Sequence, residues 1–191
     1  MSHFLFIAGA LRERNSLDSA ELQLGAGIWG LCTALIRDNL QKFLTPDSHG
    51  LVYVLKEGIR AEFSIVSPLQ PFQALDELLK DEVRTEARYG FVRVRPVRRW
   101  QAHAPECQAL LQQVLGIEEQ SELSRRLALG MHRLTDAEYQ TIVERLGPGQ
   151  LSPIDTCMLR LLEGTSGHEM VGLFDRTDFF DIDVEFPCKP G

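Results

Sequence analysis

The sequence predicts a mixed α+β protein, α/β in the broad sense, in which short strands interrupted by helices close into a small barrel. Three observations carry this. An apolar run, "HFLFIAGAL", opens the chain, and "LVYVLKEGIRAEFSIVS" alternates on both sides of a Lys56-Glu57-Gly58 turn. Between and after these, "FQALDELLKDEVRTEA" and "TDAEYQTIVERLG" repeat apolar residues at helical spacing. The 191 residues are 44% hydrophobic, which suits one domain with an appendage and is ample for a core.

Taken in order, "HFLFIAGAL" is a first strand; it is too short to span a bilayer, and "RERNS" follows it directly. "NSLDSAELQL" is a short helix, with Asp18 and Glu21 at capping-box spacing and Gly25 to stop it. "GIWG" reads as a turn, "TALIRDNLQKFL" as a helix, and "TPDSHG" as a turn made by proline, aspartate and glycine. After the hairpin, the sequence predicts one amphipathic helix over "FQALDELLKDEVRTEA" and a strand in "YGFVRVRPVRRW" that ends near Pro96. Two helices follow, in "ECQALLQQVLGI" and "TDAEYQTIVERLG". No internal repeat or low-complexity tract is present.

Charge and cysteines narrow the function. The net charge is −7, but Lys and Arg balance Asp and Glu over residues 1–110, so residues 111–191 carry the whole excess. Within the neutral part, Arg84, Arg88, Arg93, Arg95, Arg98 and Arg99 crowd one segment. Such a stripe either tracks phosphates or is a solvated face offset by Asp76, Glu77, Asp81, Glu82 and Glu86. Cys32, Cys107, Cys157 and Cys188 lie far apart without a CxxC pair, which argues against zinc and against a disulfide framework. A reducing cytoplasm is the expected setting.

No GxSxG, P-loop or HExxH motif occurs, and His168-Glu169 lacks the second histidine of a zincin. No cofactor or metal is implied. Asp181, Asp183 and Glu185 alternate, as magnesium-binding carboxylates of a nuclease would, but no lysine stands two residues after a carboxylate. A solvated acidic tail that mediates protein contacts fits the same residues.

Trp29 stands between Gly27 and Gly30, where little neighbouring bulk is available to cover it. Two roles suit it: plugging a barrel end or stacking on a ligand. The order of the G-I-W-G motif, the Asn-Leu segment, the Pro-Asp turn, the tyrosine strand, the hairpin return, the aromatic and basic strand ending in proline, and "LTDAEYQTIVERL" resembles the EVE domain. That family is PUA-like and is similar to the YTH readers of methylated adenine. The resemblance covers about residues 3–147 and leaves 148–191 as a C-terminal helix and acidic extension. It implies a β-barrel with a pocket at one end that takes a flipped, modified base, either N6-methyladenine or methylated or hydroxymethylated cytosine, in DNA or RNA, with DNA favoured.

By that resemblance, Trp29 is the first wall of an aromatic cage, Asn15 a hydrogen-bonding partner of the base, Ser19 a second polar contact and Phe72 the other wall. Read on their own, Asn15 is equally a helix cap and Phe72 equally a loop-packing residue. Arg93, Arg95, Arg98, Arg99 and Trp100 are the expected nucleic-acid backbone contacts. Phe91 occupies a position where EVE members carry arginine, and Arg93 and Arg95 are the substitutes. The resemblance further implies a specificity module of a modification-dependent restriction system, served by a nuclease or NTPase partner.

Overall fold

The computed structural model describes residues 2–10, 14–34, 41–101 and 103–151. By its internal contacts the chain divides into two units, residues 1–150 and 151–191. Its elements are β1 (His3–Ala8), α1 (Ser16–Gly25), β2 (Ile28–Gly30), β3 (His49–Val54), β4 (Gly58–Ile65), α2 (Glu77–Glu82), β5 (Phe91–Arg99), α3 (Ala104–Leu115), α4 (Gln120–Leu127), β6 (Met131–Leu134) and α5 (Asp136–Leu146). Single 3-10 turns occur at Gln41–Phe43 and Phe72–Ala74.

The strands are ordered β2-β5-β4-β3-β1-β6 in a curled half-barrel sheet. β1 pairs in parallel with β3 and antiparallel with β6. That central place explains its composition: five of its six residues are buried, and a strand covered on both faces needs a continuous apolar run rather than an alternating one. The β3–β4 hairpin turns at Lys56, where φ is +71°. Both of its strands are buried almost throughout, apart from scattered half-buried positions.

Two apolar layers flank the sheet. On one face Phe4, Phe6, Val52, Phe63 and Val92 pack with Trp29; on the other Leu5, Leu51, Tyr53 and Ile59 meet Leu111, Leu123 and Ile142 of the helices. A smaller group joins Ile28, Leu75, Val83, Ala87 and Phe91. Gly50 lets the first layer close. A Cβ there would lie 2.6 Å from the Phe6 ring and 2.7 Å from the Phe63 ring, so glycine permits those rings to meet at 5.0 Å.

The structure departs from the sequence reading at several places. "GIWG" is not a turn: Ile28–Gly30 is a strand on β5, because Trp29 and Ile28 each have an apolar layer to enter. β5 does not end near Pro96 but runs through it to Arg99. The pairing shifts there, with Phe63 opposite Pro96 and Glu62 opposite Arg98, and such a bulge accommodates a residue without an N–H.

The helix expected over residues 72–87 shrinks to the six residues of α2. Its buried anchors are Leu75, Val83 and Ala87, while Leu78 is 90% exposed, so the segment packs through turns on either side of the helix. α1 is capped by Asn15, the cap reading of that residue, rather than by a box of Asp18 and Glu21, and Gly25 is its last residue. α4 and β6 were not expected. Half of the predicted helix "TALIRDNLQKFL", residues 35–40, lies outside the described residues, and its end at Gln41–Phe43 is a 3-10 turn; Asp181, Asp183, Glu185 and the acidic tail also lie outside them.

Candidate nucleic-acid interface

Trp29 is 3% exposed. Its covering bulk comes from distant strands: its ring centroid lies 5.7 Å from that of Phe6 on β1 and 5.6 Å from that of Phe63 on β4. Gly30 serves a second close approach, since a Cβ there would stand 2.5 Å from the Glu86 carbonyl oxygen.

α1 supplies the polar neighbours. Asn15 is exposed and caps the helix: its Oδ1 accepts from the Asp18 amide at 2.8 Å and its Nδ2 donates to the Asp18 carboxylate at 2.7 Å. Ser19, one turn on, is buried, and its hydroxyl donates to Glu86 Oε1 at 3.2 Å. Gln23 joins this group to the tryptophan strand. Its Nε2 donates to the Ser19 carbonyl at 3.2 Å, and its Oε1 accepts from the Gly30 amide at 2.8 Å. The Glu86 carboxylate is 4% exposed and also faces the Arg14 guanidinium at 3.1 Å. A buried carboxylate held by a hydroxyl and a guanidinium is an ordered acceptor.

The structure therefore brings Ser19 and Trp29 into one neighbourhood through Gln23 and Gly30. Phe72 is elsewhere. It is half-buried against the group formed by Ile28, Val83 and Phe91. Successive strand residues face opposite ways, so Phe72 lies on the Ile28 side of β2 and Trp29 on the other. The two do not flank a common space.

The arginines split into pairs. Arg93 and Arg95 are exposed, alternating with Val92 and Val94, which enter the core. Arg98 is turned toward Glu62, which is 1% exposed; Nε and Oε2 lie 2.6 Å apart but off the line of a hydrogen bond, so this is an ion pair by proximity. The other Glu62 oxygen takes His49 Nδ1 at 2.9 Å and the Tyr139 hydroxyl. Burial raises the Glu62 pKa, yet the hydrogen bonds from His49 and Tyr139 and the Arg98 charge outweigh it and leave the carboxyl below its usual value.

His3 stacks on Tyr139 at 4.0 Å and lies 3.4 Å from Asp136. Arg99 is held by Glu21, with one nitrogen 2.7 and 2.5 Å from the two carboxylate oxygens. Trp100 is 7% exposed and donates Nε1 to the Gly147 carbonyl at 3.0 Å, which makes it a core anchor rather than a rim platform. Two cavities of about 550 and 610 Å³ share Trp100, Gln101 and Leu146 in their walls, not Trp29.

Sequence reasoning missed Glu62, Glu86, Gln23, His49 and Tyr139. Gln23 follows Ser19 by one helical turn and was the member open to discovery by spacing; the others depend on long-range pairing. Cys32 is exposed and Cys107 buried, both free. Among the described residues no cluster of three or more His, Cys, Asp or Glu side chains is placed to hold a metal, and no helix is long and apolar enough to cross a membrane.

No protein-family model and no curated protein matches the sequence. Solved structures do match. The human THYN1 protein in complex with 5-methylcytosine-containing DNA is similar over 78% of this chain and 99% of its own, at 17% identity and a TM-score of 0.53. The YTH domain of Zygosaccharomyces rouxii MRB1 in complex with N6-methyladenosine RNA is similar over 78% and 89%, at 14% identity and a TM-score of 0.54. The DUF55 domain of human thymocyte nuclear protein 1 is similar over 75% and 97%, at 16% identity and a TM-score of 0.50. The chain thus shares its fold with these THYN1 and YTH domains, the mixed α+β arrangement that the sequence resemblance implied.

Proposed function

We propose that this chain is a nucleic-acid-binding reader that captures a flipped, modified base beside Trp29, without chemistry of its own. The observation that carries the reading is the shared fold with two domains whose complexes hold 5-methylcytosine DNA and N6-methyladenosine RNA, combined with the Ser19-Gln23-Gly30 link that ties polar groups to the tryptophan strand. Extruding a base costs a few kcal/mol, and stacking on an aromatic ring returns about 1–3 kcal/mol. One wall and two or three hydrogen bonds offset the rest.

In this reading Trp29 is the platform and Ser19 supplies polar contact, while Glu86, whose backbone lies against Gly30 on the Ile28 side of β2, orders Ser19 rather than meeting the base. Asn15 reaches the base only by exchanging its bond to Asp18. Phe72 packs on the far side of β2, so the pocket proposed here is built without it. Trp29 is nearly covered, and a base reaches its ring only as the neighbouring side chains part. DNA is the favoured partner, and a restriction-system setting, with a nuclease or NTPase supplying the cutting in the cytoplasm, is the biological context we infer.

The test is a pair of substitutions. Trp29→Ala removes a ring from between Phe6 and Phe63 and should cost about 3–5 kcal/mol of stability; Trp29→Phe keeps an aromatic and should keep the fold. Fluorescence anisotropy with duplexes carrying 5-methylcytosine, N6-methyladenine or neither measures discrimination. Trp29→Phe should reduce the preference for the modified duplex while unmodified affinity stays within twofold. Full preference in a folded Trp29 variant would remove the residue from the pocket.

A further inference from the structure

We propose that Lys42 and Arg133, which converge on the ring of Phe43, bind a phosphodiester of the strand whose base approaches Trp29. The inference rests on the reader assignment above and identifies where the backbone lies relative to the base.

Lys42 Nζ stands 5.0 Å and Arg133 Cζ 4.3 Å from the same Phe43 centroid. Both side chains are exposed, and among the described residues neither has a carboxylate partner. Arg14, Arg98, Arg99 and Arg126, by contrast, are each in an ion pair. Two cations held at one ring repel each other, and the ring offsets this only in part, at about 0.5–1 kcal/mol per exposed contact. An anion between them removes the repulsion. A guanidinium resting on an aromatic face keeps its in-plane N–H groups free, which suits phosphate oxygens.

The register places this pair on the tryptophan face. Arg133 lies opposite Phe4 in the antiparallel β1–β6 ladder, and cross-strand partners share a face. Phe4 belongs to the Trp29 layer, and Phe43 packs against that layer. Ring contacts of 5.8 Å (Phe4 to Phe6) and 5.7 Å (Phe6 to Trp29) complete the path. Arg93 is instead opposite Ile28, on the other face of β5. β6 ends the strand order, so among the described residues no further strand pairs along its outer edge.

The experiment couples a protein change to a phosphate change. Duplexes with one 5-methylcytosine or one N6-methyladenine are prepared with a neutral methylphosphonate at single linkages on either side of the modified base. For the unaltered protein, one such linkage should weaken binding about tenfold, as expected for a lost charge-assisted contact. The Lys42→Gln/Arg133→Gln protein should bind every duplex more weakly and lose about two units of salt slope. It should keep its methyl preference and no longer respond to that linkage. Circular dichroism checks the fold.

A variant as sensitive to the linkage as the unaltered protein, or with an unchanged salt slope, overturns the inference while the base preference preserves the reader assignment. An unaltered protein without preference for either modified duplex overturns the assignment and the inference together.

Discussion

The two ends of β5 carry the same residue type in opposite circumstances. At Arg93 and Arg95 the side chains stand in solvent with valines beneath them, whereas Arg98 meets a buried carboxylate and Arg99 a carboxylate on α1. The shift at Pro96 separates the two halves. An arginine count along the strand therefore overstates the charge available to a polyanion: half of it is committed to carboxylates, Arg98 to Glu62 on the neighbouring strand β4 and Arg99 to Glu21 on α1. Arg93 and Arg95 remain the part of the basic strand proposed to meet phosphate.

Breaking the committed half should have the largest effect. Glu62→Ala leaves Arg98 without its counter-charge and His49 and Tyr139 without their acceptor, and loss of one partner from a buried pair costs about 3–5 kcal/mol. Urea denaturation measures it; a loss below about 1 kcal/mol would show that water replaces the carboxylate.

The same site sets a pH dependence. Burial lowers the His3 pKa below its usual 6.5, with the Asp136 charge opposing, so the unfolded chain binds its proton first and stability falls as pH drops below about 6.5. The depressed Glu62 carboxyl adds stability above its usual 4.5, lost as pH falls through its lower folded value. Both act in one direction, and Glu62→Gln should flatten the acidic limb. A limb unchanged in that variant would assign it to other carboxylates.

Sharpening the exposed half comes next. Charge reversal at Arg93 and Arg95 should weaken modified and unmodified duplexes equally and reduce the salt slope by about one unit per residue, because phosphate contacts carry no base information. A loss confined to one duplex would move these side chains into the pocket. The smallest effect is expected for Glu21→Gln. The pair with Arg99 has side chains 46% and 42% exposed, and such pairs contribute about 0–1 kcal/mol. A change in thermal midpoint beyond that range would show that Glu21 does more than bridge the surface.

How much of this was legible depends on the range of the signal. The β3–β4 hairpin, β1, α1 and α5 rest on local patterns, and α5 carries its start signal in plain form: Thr135 accepts from the Glu138 amide, and Glu138 accepts from the Thr135 amide. Glu62 was illegible because "RAEFS" alternates like a strand with one wet face, and only the arrival of Tyr139 and His49 turns that face into an interior. α2 was overdrawn because Leu78 fits the helical period yet points to solvent. The strand identity of "GIWG" needed β5 beside it. Trp29 was singled out by the resemblance; that Phe72 lies across β2 from it follows from strand alternation, which a one-residue change of register would have reversed.

The position of β1 has a consequence for how the chain is made. Residues 3–8 leave the ribosome before either of their partners, the parallel strand of residues 49–54 and the antiparallel strand of residues 131–134. A nascent chain thus holds an apolar strand with one open edge until most of the unit has been synthesised, and parallel pairing across so long a loop is slow to nucleate. Synthesis at reduced temperature, or with holdase chaperones present, should raise the soluble yield by shielding "HFLFIA" during that interval. A circular permutant that places residues 131–134 immediately before β1 should depend on neither.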